Sequence, residues 1–522
     1  MDVKTTKSSK WILILFGLSG MAALVYEVTW IRPLSLVFGN TTYAISTIIA
    51  SFIFGLAMGS WIAGKYTDRI KNPFKYFAFT QIGVGFYGIL LLGVFATLPG
   101  LYIVLYNATY PNQEFFTFIQ IIISMALLLV PTALMGATLP LLLKTYSQDF
   151  TTIGKDVGKL DASNSFGAMI GTLAAGFLLI PLLGIQNSIV FAASINIVIG
   201  IILLITQRFF SYRNIAVVGV LVIFLFLMIP NYDIRTMSIG PYTYHDIDPT
   251  RINEVYADDE ILFYKETLYS TVLVLDHGPV KKLSINGKTQ CSTSPNVIEG
   301  LVNLAKIPHE LFSINHGSPN NALNIGLACG VTSKALSLNV NTTTIEIDPE
   351  IVKASKFFYE NIDHRLIIDD ARNWLFRNNE KFDIITTEPS DPYINRSLMF
   401  SQEFFMILDS SLTENGLVAQ WMPLYEMNGN DFFIFYNTFH SVFPYVYGFE
   451  MEEGERSQII LIGSKKPLDI PENNLYIFSH EDVLEKETIF NTDDLPNLEF
   501  SVARNIYDPP ALEITPVLKP KE

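Results

Sequence analysis

Up to residue 230 the chain is a succession of apolar stretches, near 11–30, 43–64, 74–98, 115–143, 160–183, 188–206 and 215–230. A bilayer core takes roughly 20 predominantly apolar residues per helix, and in hydrocarbon only a helix or a closed barrel satisfies its own backbone. The stretches therefore predict an all-α, multi-pass membrane domain of about seven helices over 1–231, with the lipid bilayer as partner. The first lacks a small-residue cleavage site and more spans follow at once, so it reads as a span and not as a signal peptide. Basic residues sort by loop: Lys4, Lys7 and Lys10 precede span one, Lys65, Arg69, Lys71 and Lys75 follow span two, Lys144, Lys155 and Lys159 follow span four, and Arg208 and Arg213 follow span six. The alternate loops hold little besides Arg32. This pattern predicts a cytoplasmic N-terminus in a cell membrane.

Inside the spans the costly residues are Glu27 and Asp161, the latter with Asn164 one helical turn on. An ionisable group in hydrocarbon needs a partner or water, which makes each a functional expectation. The competing reading pairs Glu27 with Arg32 at the interface and makes Asp161 a helix-start residue. Gly55, Gly59 and Gly64 are expected to let helices pack closely.

The remainder of the chain is different in kind. Thirteen Lys/Arg stand against seven Asp/Glu up to residue 230, leaving 22 against 43 beyond it, and the net charge is -15. An acidic second half lacks the basic stripe that nucleic-acid binding requires. Two cysteines, Cys291 and Cys329, make neither a disulfide framework nor a metal set, and fit a reducing compartment.

Residues 232–259 read as a polar linker interrupted by Pro241 and Pro249. Strands at 261–265, 271–275 and 281–285, with turns at His277-Gly278 and Asn286-Gly287, predict a small β-hairpin domain over 260–295. From residue 321 strand and helix alternate: strands at 322–325, 343–347, 366–368 and 382–387, helices at 331–338, 351–359 and 371–378. Such alternation predicts an α/β doubly wound, Rossmann-like sheet over 296–470, with ligands at the carboxyl ends of its strands; residues 471–522 read as a C-terminal extension.

The chemistry-bearing residues fall at those ends. Gly326 and Gly330 let backbone amides approach a ligand. Glu346, twenty positions after Gly326, ends the second strand where a carboxylate accepts ribose hydroxyls. Asp370, before Ala371, is placed either to reach an adenine amino group or to cap the helix that follows. Glu388 and Asp391 flank a proline-stiffened turn after the fourth strand, and two close carboxylates suit a cationic amine: one orients it while the other takes its proton, and mutual repulsion raises one pKa.

Those residues carry a resemblance. Ile325-Gly326-Leu327-Ala328-Cys329-Gly330, Glu346-Ile347-Asp348-Pro349, Asp369-Asp370-Ala371-Arg372 and Glu388-Pro389-Ser390-Asp391-Pro392, followed by Met399-Phe400-Ser401-Gln402-Glu403-Phe404-Phe405, resemble the spermidine synthase (polyamine aminopropyltransferase) family. Tyr26-Glu27-Val28-Thr29-Trp30-Ile31-Arg32, Gln420-Trp421-Met422-Pro423-Leu424-Tyr425 and Asn491-Thr492-Asp493-Asp494-Leu495-Pro496-Asn497-Leu498-Glu499-Phe500 resemble its membrane-fused branch. The resemblance implies a class I methyltransferase-type fold. It also implies decarboxylated S-adenosylmethionine or S-adenosylmethionine as cosubstrate, a small-molecule amine as acceptor, no metal and a homodimer. Glu388 and Asp391 would be catalytic, and Gln290, Gly326, Cys329, Gly330, Glu346, Asp370 and Ala371 would hold the donor.

The chain departs from the family pattern where the transferred group is handled. Cys329 stands where the family has an aspartate that holds the aminopropyl amine, Glu388 stands for the catalytic aspartate, Ser270 for a glutamine, and Glu299-Gly300 for a substrate-binding Tyr-His pair. Three expectations therefore compete: an aminopropyltransferase, an S-adenosylmethionine-dependent methyltransferase, and a nucleoside-binding regulatory domain of a membrane carrier. The carrier reading has its own motif, because Gly64-Lys65-Tyr66-Thr67-Asp68-Arg69 resembles the loop signature of major facilitator transporters. Seven spans from an inside start would put the second half outside, against the cytoplasmic location of adenosyl cosubstrates; the side of the second half stays open.

Overall fold

The computed structural model describes residues 9–207 except 40, 111 and 148–150, then 219–220, 234–242, 248 and 252–518 except 268, 360–362, 390–396, 472–473, 485–488 and 506–516. It divides into two compact units, Met1–Val255 and Tyr256–Glu522.

The first unit is helical: α1 (Ser9–Phe38), α2 (Thr42–Thr67), α3 (Pro73–Thr109), α4 (Gln113–Gly136), α5 (Thr138–Tyr146), α6 (Ile153–Ala174), α7 (Ile180–Thr206) and the single turn α8 (Ile234–Met237). Among the described residues, five helical segments are long and apolar enough to cross a membrane by length and composition. The fifth, Ile153–Thr206, holds two expected spans: π-type winding at Ala175–Leu179 leads into α7, and Gly184 at φ 81° breaks the helix between them. The expected seventh span lies outside the described residues except for Gly219 and Val220.

The helices pair as α1 with α6, α2 with α4 and α3 with α7, and small residues set the closeness. A Cβ on Gly59 would meet the Ala133 carbonyl, and one on Gly167 the Gly17 carbonyl, so these backbones touch. Gly64 is a correction, because nothing lies within 4 Å of its Cβ position. Asp161 is another: α6 starts at Ile153, eight residues earlier, so Asp161 is no helix-start residue, and its side chain is exposed. Glu27 is half-buried in α1.

The second unit begins with the antiparallel meander β1 (Glu260–Glu266), β2 (Thr271–His277), β3 (Val280–Ile285) and β4 (Lys288–Ser292), in the order β1-β2-β3-β4. Gly278, Asn286 and Gly287 take the left-handed conformation that tight hairpin turns need. The helix α9 (Pro295–His316) leads into β5 (Asn321–Ile325), α10 (Val331–Ser337), β6 (Asn341–Glu346), α11 (Pro349–Ser355), β7 (Arg365–Ile368), α12 (Ala371–Arg377) and β8 (Phe382–Thr387). Then come α13 (Gln402–Ser411), β9 (Leu412–Pro423), α14 (Gly429–His440), β10 (Tyr445–Glu452), β11 (Glu455–Ser464), β12 (Tyr476–Ser479) and α15 (Asn497–Asn505).

The eight-stranded sheet runs β12-β10-β11-β9-β8-β5-β6-β7. Strands β5 to β9 pair in parallel and β10 to β12 antiparallel. This is the Rossmann-like, methyltransferase-type arrangement. Winding reverses between β5 and β8, which opens a crevice at their carboxyl ends. The segment after residue 470, expected as an extension, supplies the edge strand β12. One apolar core joins strands of both sheets to α9 and α10, with Val272, Leu283, Leu304, Ala322, Ile384 and Phe449 fully buried.

Candidate active site

The turn after β5 is built from alternating left-handed residues: Gly326 at φ 92°, Ala328 at 44° and Gly330 at 82°. That winding turns the Leu327 amide toward the end of β6, where it donates to Glu346 Oε2 at 3.0 Å. Glu346 Oε1 accepts from the Asp348 amide at 2.9 Å, so one buried carboxylate ties both turns together. Burial pushes its pKa up, and the amide hydrogen bonds pull against that. A carboxylate has about four acceptor positions; the Leu327 and Asp348 amides take two, and the Ile347 amide also lowers the pKa.

Asp348 caps α11, accepting from Glu350 N at 2.9 Å, while its second oxygen accepts from Thr267 and Ser270 of the β1–β2 turn at 2.7 and 3.0 Å. Ser270 thus anchors the small sheet to the β6 turn. Asp370 Oδ1 accepts from Asn373 N at 2.8 Å, so the capping role is occupied; Ala371 behind it is buried.

Glu388 follows β8 directly at the winding reversal. Its amide donates to Ile325 O at 3.4 Å, and Oε2 accepts from Thr332 at 3.4 Å. Burial pushes its carboxyl up to about 8, against hydrogen bonds from Thr332 and Asn324 and with the charge of Glu346 adding to the rise. Asp391 lies outside the described residues.

A cavity of about 210 Å³ opens over Glu388, lined also by Gln290, Cys291, Ala328, Trp421 and Met451. Gln290 Nε2 is buried there without a partner among the described residues. Glu346, Gly326, Gly330 and Asp370 do not line this cavity; they form the adjoining strand-end row, and Glu388 is common to both, since a Cβ on Gly326 would lie 3.7 Å from its Cγ. Lys288, also on the cavity wall, is buried in an ion pair with Glu426 and lies 5.3 Å from the Tyr425 ring centroid. Nothing in the sequence marked that pair, because its members are 138 residues apart.

The reading of the cysteines is overturned. Cys291 of β4 and Cys329 of the glycine turn are joined as a disulfide, with Cα atoms 6.3 Å apart. Composition could not show this, because the bond depends on β4 folding back over the β5 turn.

A Spermine/spermidine synthase domain model matches residues 262–448. The polyamine aminopropyltransferase of Corynebacterium efficiens is 25% identical over 80% of this chain and 78% of its own length, a span that must include much of the helical unit. Residues 262–448 are spermidine synthase-like. The Streptomyces coelicolor polyamine aminopropyltransferase 1 is 23% identical over 79% of this chain and 76% of its own. The solved spermidine synthase of Thermotoga maritima aligns at TM-score 0.34 and 19% identity, over 46% of this chain and 84% of that one.

The motif that follows this spermidine synthase-like region has a visible task. Arg372 donates to Asp493 Oδ1 at 2.9 Å and to Leu398 O at 2.8 Å, Ser401 donates to Asp493 at 2.6 Å, and Ser397 to Glu499 at 2.9 Å. Buried Asn491 donates to Ser397 O and Phe400 O. The segment from Asn491 to Glu499 therefore fixes residues 397–401. Hydrogen bonding to Arg372 holds the Asp493 carboxyl below its ordinary 3.8. A depressed folded pKa contributes stability above the unfolded value and loses it as pH falls through the folded one. Asp493→Asn is therefore expected to cost about 1 kcal/mol at pH 7, a value discounted for partial exposure. Thermal unfolding followed against pH should show the difference from wild type narrowing as the pH drops below about 4.

Proposed function

We propose that this chain is a membrane-anchored transferase that moves an aminopropyl group from decarboxylated S-adenosylmethionine to an amine. The observation that carries the reading is Glu388, a carboxyl raised to about 8 at the winding reversal, facing a cavity that an acceptor can enter. A base poised near neutral pH suits removal of a proton from an ammonium. Glu388 takes that proton; the freed amine attacks the methylene beside the sulfonium, the C–N bond forms as the C–S bond breaks, and methylthioadenosine leaves. Glu346 and the Leu327 turn hold the nucleoside end. The names of the relatives support the donor class, and the five apolar helical segments support the anchor.

One observation favours a second reading. Cys329, where the family has its amine-holding aspartate, is tied in a disulfide and carries no charge to hold an aminopropyl ammonium. S-adenosylmethionine as methyl donor would not need that anchor.

The test uses the full-length protein in detergent. Binding of S-adenosylmethionine, its decarboxylated form and methylthioadenosine is measured, and products with putrescine and other amines are weighed by mass spectrometry. The expected gain is one aminopropyl group, with preference for the decarboxylated donor. A methyl gain would establish the second reading, and tight binding without turnover would sink both in favour of a regulatory nucleoside site.

A further inference from the structure

Cys291 and Cys329 are the chain's two cysteines, 38 residues apart, and their bond joins the hairpin sheet to the turn after β5. Both are buried, at 2% and 1% exposure, and Cys291 is one of the residues that line the cavity. Their neighbours Gln290 and Ala328 line the same cavity, and Leu327, two positions before Cys329, donates to Glu346.

The turn is strained at Ala328, a non-glycine residue at φ 44°. Such a conformation persists only where its surroundings over-determine it. Gly330 N to Leu327 O at 2.7 Å is one restraint and the bond from Cys329 to β4 is another.

We propose that Cys291 and Cys329 form a redox-modification site, at which low-molecular-weight thiols and disulfides set whether the donor-holding turn is preorganised. The inference rests on the donor-site reading above. A dithiol's thiolate attacks Cys291 Sγ from the cavity. The bond between the two protein sulfurs breaks, its electron pair stays on Cys329, and that sulfur takes a proton. The second thiol closes on the first and releases Cys291 as a thiol, so two electrons and two protons pass from the dithiol to the protein. A small disulfide such as cystine reverses the exchange. Two thiols cannot sit at bonded separation, so reduction lets Cys329 withdraw from β4, Ala328 relax and the Leu327 amide leave Glu346.

The experiment uses full-length protein in detergent, with and without dithiothreitol. Alkylation and mass spectrometry should find no free thiol before reduction and two after it. Methylthioadenosine affinity, by calorimetry, should fall about tenfold or more on reduction and return with cystine. The double variant Cys291→Ser, Cys329→Ser should bind like the reduced protein and ignore dithiothreitol; should it fail to fold, reduction of the wild type carries the test alone. Two thiols that resist closure by cystine, or equal affinity in both states, would overturn the proposal. If neither state binds methylthioadenosine, the donor-site reading fails instead, and hydrogen exchange at 326–332 decides the redox site: protection unchanged by reduction would refute it.

Discussion

Glu388→Gln is expected to lower group transfer by about 10²- to 10⁴-fold, the usual contribution of a positioned general base, while methylthioadenosine still binds. The substitution keeps the side chain's shape and removes only its capacity to take a proton. With the folded carboxyl at about 8, the wild-type rate should climb through that pH, and the residual rate of the variant should lack the step. The same shift fixes a stability effect of opposite sense. Between 4.5 and about 8 the folded protein holds a proton on Glu388 that the unfolded chain has released, so stability from this group falls as pH rises through that window. Glu388→Gln escapes the loss and should unfold at a higher temperature than wild type above pH 8. A variant that transfers at the wild-type rate would remove Glu388 from the role of base. One that is inactive but also less stable at pH 9 would show that Glu388 is not held at a raised pKa.

The parallel half of the sheet could be read in the sequence because its signals are local. A buried parallel strand such as Asn321–Ile325 is a short apolar run closed by glycine, and each following helix is short and punctuated, so β5 to β8 and their helices fall within a few residues of expectation. The hairpins announced themselves through His277-Gly278 and Asn286-Gly287 for the same reason. What escaped depends on distant pairing. Ion pair Lys288–Glu426, the bonds of Asp493 to Arg372 and Ser401, and the Cys291–Cys329 bond span 38 to 138 residues, and no periodicity encodes them. The helix-start reading of Asp161 fails because a polar start to α6 hides its first eight residues from an apolar count. Thr332 and Asn324, which bond to Glu388, gave no signal as a threonine and an asparagine in ordinary elements. The strand-end row was thus visible, and so was Gln290 of the cavity above it, while the long-range pairings that shape the cavity walls were not.

Glu346→Gln tests the row itself. The carboxylate stands between two amides, Leu327 N and Asp348 N, and a carboxylate at this strand end suits the two hydroxyls of a ribose. Hydrogen bonds to a charged group are worth about 1.5–3 kcal/mol, so losing the charge should weaken methylthioadenosine binding by about 10- to 150-fold. Glutamine also sets an NH₂ against one of the two amide donors, which loosens the turn, and two readouts separate the effects. Loss of ribose contacts raises the donor KM and leaves kcat at saturating donor close to wild type, because the nucleoside end lies away from the bonds that change. Loosening of the turn instead raises hydrogen exchange at Leu327 in the absence of any nucleoside. A fall confined to kcat, with donor affinity unchanged, would place Glu346 outside the donor site and leave the strand-end carboxylate as a brace between two turns.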